Sequence, residues 1–249
     1  MHTSSGIVAL AFSGGLDTSY CVPRLAEQGW AVHTVYVNTG GATPDERAAI
    51  RRQAEAVGSV AHHEVDARAL VFDRFVRFLI QGNVLRGGVY PLSVAAERTQ
   101  QAISVLEVAR AIGATAVAHG STGAGNDQVR FDVTLRVLAA DLTILTPIRD
   151  EGLSRSQAIS YLEARRLPVP AKAGAYSINA GLWGTTWGGG WTHDTWAGPP
   201  AELLDPPAGA PSPQEIVIGW EAGLPVSLDG NRLAGVDVIQ ALNELAAAY

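Results

Sequence analysis

Residues 12–19 have the composition of a phosphate-binding turn. The sequence Phe-Ser-Gly-Gly-Leu-Asp-Thr-Ser directly follows an apolar run and precedes a stretch with a helical pattern. Two glycines allow the backbone to approach a ligand closely, and the start of a helix directs N–H groups at one spot. The hydroxyls of Ser13, Thr18 and Ser19 add donors, so the turn suits a polyphosphate. Asp17 would repel a phosphate unless a cation stood between them, and Mg²⁺ binds both groups.

This turn differs from the Walker phosphate loop. That loop requires a lysine after its last glycine, and the only lysine in the chain is Lys172, far along the sequence. Residues 13–18 instead resemble the S-G-G-x-D-[ST] signature of the PP-loop pyrophosphatases, which split ATP between its α and β phosphates. The resemblance implies that the leaving pyrophosphate lies in this turn. A glycine-rich strand-to-helix turn without function is the alternative.

A second glycine-rich loop, within residues 119–132, carries charges of both signs. It contains three glycines together with Thr122, Asn126, Asp127 and Arg130. Asp127 is able to accept a hydrogen bond from an ammonium group, and Arg130 to pair with a carboxylate, so the loop suits a zwitterion. An Asx-type turn that caps a helix is the alternative.

Both loops follow strands of a predicted parallel sheet. The strand candidates are residues 7–12, 31–37, 60–65, 114–118 and 142–148. Helix-like stretches alternate with them, and these are residues 43–57, which open with a Thr-Pro-Asp-Glu capping box, 68–81 and 92–112. Ligands of such sheets bind beyond the carboxyl ends of the strands. We therefore expect the site at the loops after the first, second and fourth strands.

The chain is expected to have two domains. Residues 1–166 are predicted to form an α/β nucleotide-binding domain with a parallel sheet, of the adenine nucleotide alpha-hydrolase-like (PP-loop) type. After residue 166 the composition changes to Pro, Gly and Trp, and two short strands within 215–228 precede a helix at 236–248. Residues 167–249 are interpreted as part of an α+β second domain. We expect it to be incomplete, because the last helix lacks a glycine or proline stop.

The composition argues against several classes of protein. A net charge of −6 over 249 residues is unlike a broad nucleic-acid surface, and the single cysteine, Cys21, gives no disulfide framework or cysteine metal cluster. The sequence has no apolar run of the roughly 18 residues that a membrane span needs, and its first residues are unlike a secretory signal. We expect a cytoplasmic protein that acts on small molecules, without a nucleic-acid or membrane partner.

The two loops together resemble argininosuccinate synthase. The matching residues are Ala-Phe-Ser-Gly-Gly-Leu-Asp-Thr-Ser at 11–19 and His-Gly-Ser-Thr-Gly-Ala-Gly-Asn-Asp-Gln-Val-Arg-Phe at 119–131, and the likeness runs along essentially the whole chain. The resemblance implies a cytoplasmic, homotetrameric ligase of arginine biosynthesis. It implies that ATP, with Mg²⁺, drives the joining of citrulline and aspartate through a citrullyl-adenylate to give argininosuccinate, AMP and pyrophosphate. The alternatives are another PP-loop adenylating ligase, a tRNA-thiolating enzyme, or a non-catalytic nucleotide-binding fragment.

The resemblance also implies roles for individual residues. ATP is expected to contact Ala11, Phe12, Ser13, Gly14, Gly15, Leu16, Asp17, Thr18, Ser19, Val37 and Gly120. Citrulline is expected to contact Tyr90, Asn126, Arg130, Ser177 and Thr186, and aspartate to contact Thr122, Asn126 and Asp127. Asp17, Asn126 and Asp127 are expected to serve catalysis, and no metal site built by the protein alone is expected.

The sequence departs from the family pattern at three places. After Tyr90 the family usually reads P-L-G-T-[SA]-x-A-R-P, so Val94 and Ala95 stand where hydroxyl residues would contact the amino acids. Ala124 replaces a common lysine. The family also continues beyond the position of Tyr249. We therefore expect the 249-residue chain alone to bind ATP and to make little argininosuccinate.

Overall fold

The computed structural model describes residues 6–123, 126–170, 176–200 and 212–247. The chain divides into two compact units, residues 1–67 with 97–173, and residues 68–96 with 174–249. Residues 68–96 thus group with the C-terminal part, although the sequence suggested one continuous domain as far as residue 166. That boundary and the incompleteness of the second domain stay predictions. Among the helices of the described ranges, none is both long and apolar enough to cross a membrane.

The first unit contains a five-stranded sheet in which all strands are parallel. The strands are β1 (Gly6–Ala11), β2 (Trp30–Asn38), β3 (Ala61–Asp66), β4 (Ala116–His119) and β5 (Thr143–Leu145), in the order β3-β2-β1-β4-β5. The predicted parallel α/β fold is confirmed. The strand order reverses between β1 and β4, and such a switch point is where sheets of this kind bind ligands.

Helices cover both faces of this sheet. They are α1 (Leu16–Glu27), α2 (Pro44–Ala56), α5 (Ala95–Ala111), α6 (Asp127–Leu138), α7 (Pro147–Asp150) and α8 (Arg155–Ala164). On one face α1, α2 and α8 pack against β1, with Leu10, Leu25 and Leu162 at the centre of the core. On the other face α5 and α6 bury Leu106 and Phe131 against the sheet. Helix α2 begins with the predicted capping box between Thr43 and Glu46.

The second unit combines antiparallel strands with helices. A helical segment runs through α3 (Arg68–Val71), a π-helical turn (Phe72–Val76) and α4 (Arg77–Gln81). It is accompanied by a hairpin of β6 (Tyr176–Gly181) and β7 (Gly184–Gly189), a 3₁₀ turn (Gly190–His193), a sheet of β8 (Ile218–Glu221), β9 (Leu224–Leu228) and β10 (Asn231–Arg232), and α9 (Gly235–Ala246).

The core of the second unit joins residues that are far apart in sequence. Val71, Phe72 and Val76 pack with Leu182 and Ile239. The two strands predicted within 215–228 and the final helix are confirmed, and residues 68–81 are helical as predicted, with a π-helical turn that the periodicity did not indicate.

Candidate active site

The first glycine loop connects β1 to α1 at the switch point. Gly14 has a φ of +75°, a left-handed conformation that favours glycine. A Cβ atom there would lie 3.0 Å from Cγ1 of Ile50, so α2 also limits this position to glycine. Gly15 is the N-cap of α1, and as a glycine it has no side chain that could accept a hydrogen bond from the first N–H groups of the helix. The first N–H groups of α1 therefore lack a side-chain cap, which suits a phosphate ligand.

Hydroxyl groups hold the loop in shape. Ser13 Oγ lies 3.3 Å from Thr18 Oγ1, and Thr18 Oγ1 donates to the Gly15 carbonyl at 3.2 Å. Ser13 is exposed, whereas Ser19 is fully buried and its hydroxyl accepts a hydrogen bond from Gln53. The expected hydroxyls of this loop thus differ in access to a ligand, and Ser13 is the most accessible of them.

The other expected ATP residues of this region present mainly backbone. Phe12, Leu16 and Val37 are buried, the first two in the core beneath α1 and Val37 against α5. Ala11 pairs in register with Val35 on one side and with His119 on the other. Their polar contacts to a ligand would come from N–H and C=O groups, which the carboxyl end of the sheet directs toward the switch point.

Asp17 lies in the first turn of α1 and is partly buried. Burial raises the pKa of its carboxyl group, and the nearby charge of Arg155 at the start of α8 partly opposes this rise. The charged form is therefore costly here unless a cation approaches. A carboxylate is a hard oxygen ligand suited to Mg²⁺. Within the described ranges no group of three or more His, Cys, Asp and Glu side chains is arranged for a metal ion, so a metal at Asp17 would need ligands from phosphate or water.

The second glycine loop meets the first at Gly120. A Cβ atom at Gly120 would lie 3.1 Å from Thr18 Cγ2, 3.3 Å from the carbonyl carbon of Asp17 and 3.3 Å from the Thr18 backbone nitrogen. Glycine is needed because the neighbours include backbone atoms that cannot turn away. The adjacent pairing of β1 and β4 produces this approach, since both loops leave the sheet at the same edge.

Asp127 lies between two guanidinium groups. Its carboxylate accepts hydrogen bonds from Arg98 Nε at 3.1 Å and from Arg130 Nη1 at 3.1 Å. Arg98 also donates to Gln101 at 2.9 Å. Asp127, which is expected to contact aspartate, and Arg130, which is expected to contact citrulline, thus pair with each other here.

The loop before α6 is largely open to solvent. Thr122 and Asn126 are exposed, and Asn126 is the N-cap of α6 without a side-chain capping bond. The helix-capping alternative for this loop therefore has no support from the Asn126 side chain. Ala124, where the family often has lysine, lies outside the described residues.

Comparison with known proteins agrees with these motifs. A sequence-family model, the arginosuccinate synthase N-terminal HUP domain, matches residues 7–168. A second family model, the arginosuccinate synthase C-terminal domain, matches residues 176–249. This chain belongs to the argininosuccinate synthase family.

Individual relatives give the extent of the likeness. The argininosuccinate synthase of Rubrobacter xylanophilus is 42% identical over 247 residues, which cover 97% of this chain and 60% of the relative. That of Synechococcus sp. (strain WH7803) is 43% identical over 248 residues, with coverages of 97% and 62%. The chain thus spans about 60% of the length of these curated relatives. A solved structure described as a predicted subunit of tRNA methyltransferase from Methanocaldococcus jannaschii has 16% identity and a TM-score of 0.42 over 64% of this chain and 74% of that chain, too low a likeness to carry an argument.

Three residues expected from the argininosuccinate synthase pattern belong to the second unit. Tyr90 forms an isolated bridge with Arg86. Ser177 in β6 is paired in register with Gly188, and Thr186 in β7 with Asn179, so both lie on one hairpin. The site residues of the first unit, in contrast, gather around the carboxyl ends of β1 and β4. Val94, which replaces a hydroxyl residue of the argininosuccinate synthase pattern, is buried.

Two arginines near the expected site were not assigned a role from the sequence. Arg98, which holds Asp127, occupies the arginine position of the family's P-L-G-T-[SA]-x-A-R-P pattern, and that match was an available signal. Arg155 influences Asp17 only because α8 packs beside α1. Its position depends on packing between residues 138 places apart, for which the local sequence has no signal.

Proposed function

We propose that this chain carries the nucleotide-binding part of an ATP-dependent ligase that joins citrulline and aspartate to give argininosuccinate, AMP and pyrophosphate. The observation that supports this most is the close approach of Gly120 to Asp17 and Thr18, which joins the two glycine loops of the family pattern into one surface. Membership of the argininosuccinate synthase family supports the choice of substrates.

ATP binds, in this proposal, along residues 11–19, with further contacts to the backbone of Val37 and Gly120. The N–H groups at the start of α1 donate to phosphate oxygens. When bound, Mg²⁺ supplies positive charge to the phosphates, and Asp17 is the side chain that would hold it. The partial burial of Asp17 supports this role, because a nearby cation offsets the cost of an ionised carboxylate in that position.

The amino acids bind, in this proposal, at the residues that the family resemblance implies. Citrulline contacts Tyr90, Asn126, Arg130, Ser177 and Thr186, and aspartate contacts Thr122, Asn126 and Asp127. The ureido oxygen of citrulline attacks the α-phosphate, which forms the citrullyl-adenylate and releases pyrophosphate. The aspartate amine then attacks the activated carbon, and AMP leaves. Catalysis by Asp17, Asn126 and Asp127 consists of positioning and charge stabilisation.

This reaction requires no nucleophile from the protein. Cys21, the single cysteine, is fully buried in α1, and burial raises the pKa of its thiol, so a thiolate is not offered to a substrate. We also propose a homotetramer located in the cytoplasm, as the family resemblance implies. A net charge of −6 supports small-molecule substrates rather than nucleic acid.

Two variants of the purified chain test the two halves of this proposal. Asp17→Ala is expected to weaken Mg·ATP binding in calorimetry. Asp127→Ala is expected to spare ATP binding and citrulline-dependent exchange between pyrophosphate and ATP. It should raise the aspartate concentration needed for half-maximal product formation about tenfold to a hundredfold, because a charge-assisted bond to the ammonium group is lost. Product is measured with a method sensitive enough for the small amount of argininosuccinate that the unaltered chain is expected to make. Asp141→Ala, which removes an exposed carboxylate beyond α6, is the control.

Three results would contradict parts of the proposal or all of it. Unchanged Mg·ATP affinity in Asp17→Ala removes the role given to Asp17. Loss of exchange together with product in Asp127→Ala shows that this residue does not act on aspartate alone. No binding of Mg·ATP by the unaltered chain rejects the nucleotide site itself.

A further inference from the structure

A chain of polar groups, of which the first is buried and the next two are partly buried, begins next to the meeting point of the two glycine loops. His119 is the last residue of β4 and only 1% exposed, and it directly precedes Gly120. Its Nε2 lies 2.9 Å from Asp132 Oδ1 in α6. The other oxygen of Asp132 accepts a hydrogen bond from Arg149 Nη1 in α7 at 2.6 Å. The His119 ring therefore links the end of β4 to α6, and the Asp132 carboxylate extends this link to α7.

The second ring nitrogen of His119 contacts the loop itself. The Ser121 backbone N–H donates to His119 Nδ1 at 3.4 Å, a long hydrogen bond that requires Nδ1 to be unprotonated. Nε2 must then carry the hydrogen that is donated to Asp132. Burial lowers the pKa of His119, which the neighbouring Asp132 partly opposes, so the ring is neutral at neutral pH. Each nitrogen thus has one defined task.

These contacts fix the position of Gly120 relative to Asp17 and Thr18. Gly120 lies between His119 and Ser121. The His119 ring accepts a hydrogen bond from the Ser121 N–H through Nδ1, so it bridges the two residues on either side of Gly120. The gap to the first loop leaves no room for a methyl group. Because a displacement of about 1 Å at a site of this kind changes rates and affinities strongly, the orientation of the His119 ring matters for any ligand held by both loops.

We propose that His119 is a positioning residue of the nucleotide site, and that the His119–Asp132–Arg149 chain holds the second glycine loop at the distance from the first at which both contact the polyphosphate. The proposal rests on the ATP site proposed above. In this arrangement His119 touches neither substrate nor ATP. It acts through Gly120 and Ser121, and α6 and α7 supply the fixed support.

Two substitutions divide the tasks of the ring. His119→Gln places an amide donor where Nε2 reaches Asp132 but puts no acceptor at the position of Nδ1, whereas His119→Asn places its amide oxygen near the position of Nδ1 but is too short for Asp132. We expect both variants to weaken Mg·ATP binding about tenfold, equivalent to loss of one hydrogen bond to a well-placed partner. Amide hydrogen exchange of the ligand-free protein should be faster at Ser121 in His119→Gln and nearer to that of the unaltered protein in His119→Asn.

His63→Gln is the matched control, because it removes a partly buried histidine from β3 of the same sheet, away from both loops. It should leave ATP affinity and Ser121 exchange unchanged. Asp132→Asn, which preserves the size of the side chain, repeats the test if a His119 variant fails to fold, and it should also weaken ATP binding.

The results separate this proposal from the one on which it rests. Folded His119 variants with unaltered ATP affinity overturn the positioning role and leave the ATP site standing. If the unaltered chain binds no ATP, the nucleotide proposal fails, and Ser121 exchange alone decides whether His119 holds the loop. Unchanged exchange in His119→Gln overturns it.

Discussion

Asp127 shares its carboxylate between Arg98 and Arg130, and under the proposed function this sharing determines what the ammonium group of aspartate meets at the second loop. An incoming ammonium group has to join or displace one guanidinium. Arg98 is held by Gln101 as well and is mostly buried, whereas Arg130 is the more exposed of the two arginines. Arg130 is therefore the partner that is released more easily, and its release would direct a guanidinium toward a substrate carboxylate.

Gly120→Ala is expected to weaken Mg·ATP binding by about tenfold or more. The added methyl group would lie 3.1–3.3 Å from Thr18 and from backbone atoms of Asp17 and Thr18, so one loop must shift. Gly123→Ala is the control on the same loop, because nothing lies within 4 Å of a Cβ atom there. Calorimetric titration of both variants makes the comparison. Equal affinities for ATP would show that the contact between the loops is not used.

At the scale of elements, helix α2 limits the first loop through Ile50, whose Cγ1 would lie 3.0 Å from a Cβ atom at Gly14. The helix starts with Thr43, whose hydroxyl accepts from the Glu46 N–H at 3.2 Å, while the Glu46 carboxylate accepts from the Thr43 N–H at 3.1 Å. The cap fixes where α2 begins and thus where Ile50 stands. The position of Ile50 beside the first loop therefore depends on a helix start at Pro44, six residues earlier.

Thr43→Ala is expected to lower the free energy of unfolding by about 1 kcal/mol, because the Glu46 N–H loses the hydroxyl that accepts its hydrogen bond. Thr43→Ser preserves the hydroxyl and should retain most of that stability. Urea unfolding of the three proteins measures the difference. A deficit of the same size in both variants would assign the effect to the lost methyl group rather than to the cap.

Local sequence predicted the strands of the parallel sheet and several of the helices, but not α6, α7, α8 or the β6–β7 hairpin, and not the contacts between elements. Apolar runs, the capping box and the glycine loop predicted the five strands, the start of α2 and the β1–α1 turn. The pairing of Arg98 with Asp127 joins residues that are 29 positions apart, and the contact of His119 with Arg149 through Asp132 involves three elements. Such contacts depend on how helices pack on the sheet, for which a single sequence carries no local signal.

At the scale of the whole molecule, protonation of histidines links stability to pH. Burial lowers the pKa of His62, His63 and His119 from 6.5. Below about pH 6.5 these histidines therefore bind more protons in the unfolded chain than in the folded one. Their contribution to the free energy of unfolding is complete above that pH and is lost as the pH is lowered through their folded pKa values. Asp17 opposes this trend, since its raised pKa favours proton uptake by the folded chain.

We expect the thermal midpoint to fall between pH 7.5 and pH 5.5, and to fall less steeply in His63→Gln. Circular dichroism at constant ionic strength measures both. A midpoint that stays constant or rises over this range would mean that the histidines take up protons in the folded state as readily as in the unfolded chain.

The division of each unit into two separate stretches of chain has a consequence for synthesis on the ribosome. Val71, Phe72 and Val76 emerge early, but their core partner Ile239 follows roughly 160 residues later. At usual elongation rates about ten to thirty seconds pass before Ile239 completes this core, and Leu182, their other buried partner, also follows more than 100 residues later. In the same way β1 emerges long before β4, so one of its edges stays unpaired. We therefore expect the nascent chain to bind chaperones that recognise exposed apolar segments, and slower translation to prolong this binding.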